Sequence, residues 1–374
     1  VTALDIDEDY VEAHYYLGKL FHGGVATDKE GTIVDLKETA KAEFHFQKVI
    51  EIDESNHKAH YNIAKIHSEN GNTKKAEGML RKSIALCPEY SKAHYLLAHV
   101  LEQSNKKSEA KKHFLLSIDY YKENAIAHYR LGVMMYHDEN YESSLEHLKK
   151  SVAIDANHAE SHFYIAMILR TDEDPALAKK HFYKALELNP EYSEAYFELG
   201  NHSVVNGDFN EAKLHFQKAT DLDQNYVLAY FHLGKILTNP SEFDQAYRNY
   251  ETALEINPDL AECHYWFAKL LSKGEKLKTD GSLIKEPETN KAKEHLHKAL
   301  GINSEYSKAY YKLGLILVED HQFAEAFKNF ELAIKHNKNF AEAHFQVALL
   351  LMDKAAQTAL KSLQTTSNQK KKKQ

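Results

Sequence analysis

The fold is decided by a ten-residue segment that returns every 34 residues: HKAHYNIAKI at 57–66, SKAHYLLAHV at 91–100 and AIAHYRLGVM at 125–134. Four later segments keep this spacing, namely AESHFYIAMI at 159–168, SEAYFELGNH at 193–202, VLAYFHLGKI at 227–236 and AECHYWFAKL at 261–270. Three more segments fit the same frame and begin at Val11, Ser307 and Ala341. A fixed period of this length predicts a solenoid built from identical supersecondary units.

Each period contains the pattern of two helices and two turns. When its positions are numbered 1 to 34, position 8 is always Gly or Ala, and position 20 is small in the nine complete periods. Position 24 is large and apolar or aromatic, as at Phe46 and Phe114. Positions 4, 7, 8 and 11 share one helical face, which predicts a buried stripe. One hairpin cannot bury its own apolar face, so neighbouring hairpins are expected to stack.

This pattern resembles the tetratricopeptide (TPR) repeat family over roughly residues 1–353. The resemblance implies an all-α fold, an α-solenoid that coils as a right-handed superhelix of about ten helical hairpins. The chain departs from the family at position 4, where the family often has Trp and this chain has His or Tyr. Pro at position 32 is also missing from most periods.

The frame divides the chain into consecutive segments. Residues 1–10 are predicted to be the second helix of a preceding repeat whose first half is absent, so we interpret the chain as a fragment. The other predicted segments are 11–56 (repeat 1, with an inserted loop at about 22–37), 57–260 (repeats 2 to 7), 261–306 (repeat 8, with an inserted loop at about 272–287), 307–340 (repeat 9), 341–363 (a partial repeat or capping helix) and 364–374 (a disordered basic tail).

The two inserted loops match each other at a constant offset of 250 residues. GTIVDLKETAKA at 31–42 parallels GSLIKEPETNKA at 281–292. The offset suits a duplicated block of seven repeats. Two interpretations stay open, because surface insertions cost a folded protein little free energy. In the first interpretation, both loops contact the same kind of partner surface. In the second, both are tolerated remnants of the duplication.

The motifs of common enzyme sites are missing from the sequence, which has no Gly-rich phosphate loop, no GxSxG and no HExxH. We therefore predict no enzymatic activity, no catalytic residue, no cofactor and no small-molecule substrate. The net charge of −8 argues against nucleic acid, and no apolar run approaches the roughly 18 residues of a membrane span. Two distant cysteines, Cys87 and Cys263, suit a reducing compartment. We predict a cytoplasmic location, with the cilium or the nucleus as alternatives.

Histidine is concentrated at two positions of the frame. Position 4 holds His14, His60, His94, His128, His162, His264 and His344, and position 23 holds His45, His113, His147, His181, His215 and His295. We interpret them as packing residues specified by the repeat, which hydrogen-bond a neighbour in place of an aromatic ring. His158 and His162 have the i, i+4 spacing of metal ligands, but no third ligand is evident nearby, so no metal site is predicted. Many imidazoles that titrate near pH ~6.5 would loosen the array in mild acid.

Positions 2, 5, 9 and 12 form a second stripe on the first helix, beside the buried one. By family resemblance this stripe lines a concave groove. Position 5 is aromatic in all ten periods. Two interpretations of this ribbon are open, since its rings either pack between adjacent first helices or anchor a ligand.

Repeats 4 to 6 have the most apolar version of this stripe, and apolar residues on an exposed groove mark binding sites. The predicted partner-binding groove consists of Ile126, Tyr129, Val133, Tyr136, Phe163, Met167, Phe197 and Val204. A secondary groove is predicted at Tyr61, Lys65, Tyr95, Phe231, Lys235, Tyr265 and Lys269. A helix or an extended segment of another protein would suit such a surface.

The function predicted from these features is a protein–protein interaction scaffold within a larger assembly. The set of Lys, Asn and Arg residues with which some family members clamp chaperone C-termini is absent, since position 5 is never Lys. The alternative is a substrate-recruiting arm of a larger enzyme, for example one similar to O-linked N-acetylglucosaminyltransferase, whose catalytic domain is not in this chain.

Overall fold

The computed structural model shows a succession of helical hairpins, which confirms the predicted all-α solenoid class. It describes residues 4, 6–27, 33–35, 37–172, 174–278 and 281–352. The chain divides into two compact parts, Val1–Pro190 and Glu191–Gln374, and each is described by itself. The predicted capping helix beyond residue 352 and the basic tail lie outside the described residues, as do most of residues 1–5.

The elements of the first part are α1 (Val11–Gly23), β1 (Val25–Thr27), β2 (Ile33–Asp35), α2 (Thr39–Ile52), α3 (His57–Glu69), α4 (Thr73–Leu86), α5 (Ser91–Gln103), α6 (Lys107–Tyr120), α7 (Ala125–His137), α8 (Tyr141–Ile154), α9 (Ala159–Asp172) and α10 (Pro175–Leu188).

The elements of the second part are α11 (Ser193–Val205), α12 (Phe209–Leu222), α13 (Val227–Ile236), a 3₁₀ helix (Pro240–Glu242), α14 (Phe243–Ile256), α15 (Ala261–Lys273), β3 (Glu275–Leu277), β4 (Leu283–Lys285), α16 (Thr289–Ile302), α17 (Ser307–Glu319) and α18 (Phe323–His336). Residues 341–352 are also helical.

Each repeat begins with its first helix, here called the A helix, at position 1 of the frame, and a B helix follows it. Side-chain caps help to begin several of these helices. The carboxamide oxygens of Asn56 and Asn124 accept hydrogen bonds from backbone N–H groups three residues later, at 3.1 Å. Asp174 does the same for α10, where Pro175 stands at the first helical position. The local sequence thus sets where these helices start.

The A and B helices of a repeat approach closely where position 8 meets position 24. Phe216 is fully buried against Gly200, and a Cβ atom added to that glycine would lie 2.5 Å from the phenyl ring. Gly314 and Phe330 repeat this arrangement in repeat 9. The small residue at position 8 therefore leaves the space that the large side chain at position 24 fills.

Each of the two predicted insertions contains a short pair of β-strands between the A and B helices of its repeat. β1 pairs with β2 and β3 with β4, both antiparallel and in the same register: Val25 pairs with Asp35, and Glu275 pairs with Lys285. The second hairpin follows α15 through Gly274 (φ +57°), where a Cβ would lie 2.4 Å from the backbone of Glu286. The 250-residue offset therefore extends from sequence to strand pairing.

Candidate partner-binding surface

The rings at position 5 pack against aromatic side chains that the frame also specifies. The ring centroid of Phe163 lies 5.7 Å from that of Phe182, at position 24 of the same repeat. The same contact, at 5.6 to 6.4 Å, is made by Tyr15, Tyr95, Phe197, Phe231 and Tyr311. The ring of Tyr61 also lies 5.3 Å from that of Tyr90, at position 34. The structure thus supports the packing interpretation of the aromatic ribbon.

Three of the predicted groove residues are buried by this packing. Phe163, Phe197 and Phe231 are 8%, 6% and 3% exposed. The prediction that these rings line an exposed groove is therefore wrong, because each is enclosed by its own repeat and its neighbours. In contrast, Phe345 is 61% exposed at the same position of the repeat that begins at Ala341. Exposure at position 5 depends on which helices surround the ring.

The remaining predicted residues of repeats 4 and 5 reach the surface on neighbouring A helices. Ile126 is 49% exposed at the start of α7. Tyr129, Val133 and Tyr136 follow it at i+3, i+7 and i+10, and all three are partly exposed. Met167 is partly exposed on α9. In the second part, Val204 is partly exposed on α11. Partner binding by these residues stays a prediction.

Tyr164, which lies outside the predicted stripe, joins the two A helices of this surface. Its ring centroid lies 5.3 Å from that of Tyr136 and 6.2 Å from that of Tyr129. Tyr164 occupies position 6, which the chosen stripe of positions 2, 5, 9 and 12 leaves out. The sequence contains a signal that could have identified Tyr164. Position 6 varies between most repeats, as a surface position does, whereas position 5 is aromatic in all ten, as a packing position is. We call Ile126, Tyr129, Val133, Tyr136, Tyr164 and Met167 the repeat 4–5 patch.

A positive charge lies at the edge of the repeat 4–5 patch. The guanidinium carbon of Arg130 lies 5.8 Å from the ring centroid of Tyr129. Its Nε atom is buried and has no hydrogen-bond partner in the described part of the chain. Burial, and next the charge of Arg130, lower the pKa of His99. The patch therefore combines apolar rings with one cation and a neighbouring neutral imidazole.

The residues of the predicted secondary groove divide between the two parts. In the first part, Lys65 lies 3.9 Å from Glu69, and Tyr61 and Tyr95 are half-buried. In the second part, Tyr265 packs against Tyr306 at position 34, with ring centroids 5.2 Å apart. Phe231, described above, is buried. The two lysines of this groove in the second part are the partly exposed Lys235 on α13 and the exposed Lys269 on α15.

The histidines at positions 4 and 23 meet as hydrogen-bonded pairs inside the hairpins. The two Nδ1 atoms lie 2.8 to 2.9 Å apart in the pairs His14–His45, His94–His113, His128–His147, His162–His181 and His264–His295. The Nε2 atom of His94 lies 2.8 Å from the carbonyl oxygen of Pro88. The repeat frame therefore specifies a buried polar contact as well as an apolar core.

The backbone contact defines the proton positions in a pair. A carbonyl oxygen only accepts, so neutral His94 carries its proton on Nε2 and offers Nδ1 as an acceptor. His113 then donates from its own Nδ1. Burial, followed by the neighbouring His94, lowers the pKa of His113 to about 4. Burial and the pair partner likewise lower the pKa of His128 and of His295 to about 4.

Repeat 2 has only half of such a pair. His60 is buried and its Nε2 atom lies 3.3 Å from the carbonyl oxygen of Glu54. Position 23 of this repeat is Met79, and the buried Nδ1 atom of His60 has no hydrogen-bond partner in the described structure. An unsatisfied buried acceptor of this kind costs about 1–3 kcal/mol.

Three family descriptions match segments of the chain. The tetratricopeptide repeat matches residues 95–159 and 165–227. Subunit 3 of the anaphase-promoting complex, or cyclosome, matches residues 35–117. Regulator of microtubule dynamics protein 1-3 matches residues 238–316. No curated protein sequence matches the chain.

Solved structures share the fold at low sequence identity. PilF of Pseudomonas aeruginosa is 19% identical, with 58% of this chain and 98% of that chain covered and a TM-score of 0.52. The Cut9–Hcn1 hetero-tetramer of the anaphase-promoting complex is 16% identical, with 92% and 64% covered and a TM-score of 0.50. YrrB, described as a TPR protein with an unusual peptide-binding site, is 24% identical, with 51% and 97% covered and a TM-score of 0.45.

The stacked hairpins define the chain as an α-solenoid, a class whose members generally present surfaces to other proteins rather than catalyse reactions. Within the described ranges, no helix combines the length and the apolar character that crossing a bilayer requires. The 34-residue frame and the family matches then specify the class more narrowly. The chain is a tetratricopeptide-repeat protein.

Proposed function

We propose that the chain is an interaction scaffold that holds peptide or helical segments of partner proteins on the repeat 4–5 patch, within a larger assembly. The general role follows from the repeat class. The distribution of apolar surface on the A helices of the first part supports the proposed location of the site.

The observation that carries this proposal is the exposure of apolar side chains along α7 and α9. Ile126, Tyr129, Val133 and Tyr136 follow one face of α7 and stay partly exposed, although nearby Met134 and Met135 are buried. The fold leaves this apolar stripe exposed to water. Burying it against a partner protein is therefore favourable in free energy. Aromatic anchors such as Tyr129 usually provide most of the binding energy in such contacts.

The surrounding contacts hold this surface ready for binding. Tyr129 packs on His158 with ring centroids 4.5 Å apart, and Tyr136 packs on Tyr141 at 5.6 Å. The His128–His147 pair, at the residue before Tyr129, ties α7 to α8. A pre-formed surface loses little conformational entropy on binding, which favours affinity.

The test is partner capture from a cell extract with the wild-type chain and with an Ile126→Glu, Met167→Glu variant, followed by mass spectrometry. The variant places two charges on the patch without changing a buried residue. We expect partners that the wild-type chain retains to be lost. Circular dichroism and thermal melting of the variant must match the wild type.

The matched control is Leu115→Glu, which changes an exposed apolar residue of helix α6. It should retain the same partners as the wild type. Equal capture by the patch variant and the control would contradict the proposed site. Capture of no partner by the wild-type chain would contradict the scaffold function itself.

A further inference from the structure

The A helix of repeat 7 ends three residues earlier than the A helices on either side of it. α13 has 10 residues, whereas α11 and α15 have 13 each. The cause is Pro240, because a residue that precedes proline is driven out of the helical conformation. Asn239 is extended, with φ −76° and ψ 144°. Repeat 7 therefore lacks the last turn that the other two helices have.

A cavity of about 810 Å³ lies where this helical turn is missing. The volume falls within the roughly 300–1,000 Å³ that is typical of ligand sites. Apolar side chains line much of it, among them Val204, Phe209, Ile236 and Leu237. Phe209 is 56% exposed, so its ring is accessible to a ligand. We call this cavity the repeat 7 notch.

Lysines surround the notch, and one tryptophan positions two of them. The ammonium nitrogens of Lys235 and Lys269 lie 5.1 and 4.4 Å from the ring centroid of Trp266. Cation–π attraction holds both charges at the rim. Trp266 donates from Nε1 to Glu262 at 3.3 Å, and Glu262 lies 3.5 Å from Lys235. His232 lines the notch as a neutral group, since burial lowers its pKa to about 4.

The positive charge at this rim is only partly balanced. Lys213 lies 2.9 Å from Glu242, and Lys235 has Glu262. Lys269 has no carboxylate within ion-pair distance among the described residues. A lysine at the rim of an apolar cavity that lacks a carboxylate partner favours a ligand that brings a carboxylate.

We infer that the repeat 7 notch docks an acidic peptide segment of a partner protein, with a large apolar side chain in the cavity and a carboxylate on Lys269. The inference rests on the proposed scaffold function and adds a second contact with a defined chemistry. The charge requirement comes from Lys269 and its neighbours, and the size requirement comes from the missing helical turn.

The chain offers a built-in probe, because Trp266 at the rim is its single tryptophan. The ligand for the test is a synthetic acetylated decapeptide with a central Leu-Phe pair between runs of Glu and Asp. Its binding is followed by Trp266 fluorescence and by the anisotropy of a dye on the peptide. We expect saturable binding that is about tenfold weaker for Lys269→Glu, because the charge reversal repels the ligand.

A second variant, Thr238→Phe, fills the notch from an exposed position and should weaken binding by a similar factor. The matched control is Lys335→Glu, an equal charge reversal at an exposed position of α18 in the same part, which should leave affinity unchanged. A peptide with the Leu-Phe pair replaced by serines, and one with lysines in place of the acidic residues, should bind more weakly by at least about tenfold.

Any of three results would overturn the inference. They are no saturable binding of the acidic peptide up to about 1 mM, equal binding of the lysine-flanked peptide, and unchanged affinity for both Lys269→Glu and Thr238→Phe. Failure of this experiment leaves partner capture by the repeat 4–5 patch intact, so the two proposals can fail separately.

Discussion

Repeats 2 and 3 place the same buried histidine at position 4 and differ at its partner. In repeat 3, the Nδ1 atom of His94 lies 2.9 Å from that of His113. In repeat 2, Met79 stands at position 23 and the Nδ1 atom of His60 has no partner in the described structure. Both position-4 imidazoles are at most 6% exposed. The comparison shows that the frame requires burial at position 4, while the hydrogen bond depends on a residue 19 positions away.

The difference also teaches why histidine at position 4 accompanies histidine at position 23. Five of the six complete repeats with His at position 4 have the pair, and repeat 2 is the exception. Repeats 7 and 9 have Tyr at position 4 and Asn at position 23 instead. A buried polar group needs a matched partner, so the two positions act as one structural element.

The largest effect on stability should come from lowering the pH, because protons act on all the histidine pairs together. We expect the melting temperature to fall by several degrees between pH 7.5 and pH 5.5, measured by circular dichroism. A histidine whose pKa is lowered in the folded state takes up its proton mainly in the unfolded chain. This stabilisation is complete above about pH 6.5 and decreases as the pH falls toward the folded value of about 4 for His113, His128 and His295.

A control separates the pairs from other titrating groups. The double substitution His128→Tyr, His147→Asn copies the residues that repeats 7 and 9 use at these positions, and it should reduce the pH dependence. Identical melting curves at the two pH values would show that the pairs do not couple stability to protons.

The next largest effect should follow His113→Met, which makes repeat 3 like repeat 2. The Nδ1 atom of His94 then loses its donor inside the hairpin, at a cost of about 1–3 kcal/mol. Hydrogen exchange should show faster opening of α5 and α6. The double variant His94→Tyr, His113→Asn should exchange more slowly than the single variant. Unchanged protection in His113→Met would mean that the pair adds nothing to stability.

The Met79→His substitution, which completes the pair of repeat 2, should change stability less and in the opposite direction, by increasing the free energy of unfolding. A new hydrogen bond to His60 is worth about 0.5–1.5 kcal/mol. Met79 packs against two apolar clusters, one formed by repeats 1 and 2 and one by repeats 2 to 4, so part of this gain is offset by lost apolar contact. Urea unfolding of the variant, with Met79→Leu as the control, measures the balance. Greater stability of the leucine variant would show that the new hydrogen bond does not outweigh the apolar contact that it replaces.

The smallest effect should come from the surface ion pairs that join the same two repeats. Arg81 lies 2.6 Å from Glu109, and Lys106 lies 2.9 Å from Glu77. The Arg81→Gln substitution should cost less than about 1 kcal/mol, because exposed pairs are screened by water and salt. Urea unfolding at low and at high salt measures it. A cost above that of His113→Met would reverse the ranking of buried and surface contacts.

Much of the fold was predictable because it is periodic. The 34-residue spacing places each A helix, and the small residue at position 8 anticipates the contact that Gly200 makes with Phe216. The binding surface was less predictable. The stripe of positions 2, 5, 9 and 12 includes the buried Phe163 and omits Tyr164, because residues with the same spacing on one helix differ in what neighbouring helices place over them.

The sequence by itself determined the repeat, its helix starts, the matched insertions and the recurrence of histidine at positions 4 and 23. These are local or periodic properties, and neighbouring side chains along the chain set them. Only the tertiary structure decided that the position-5 rings are packing, that the insertions form hairpins and that Pro240 opens a notch beside Lys269. Exposure, cavities and charge balance depend on side chains from several repeats at once. They cannot be read from the sequence of one repeat.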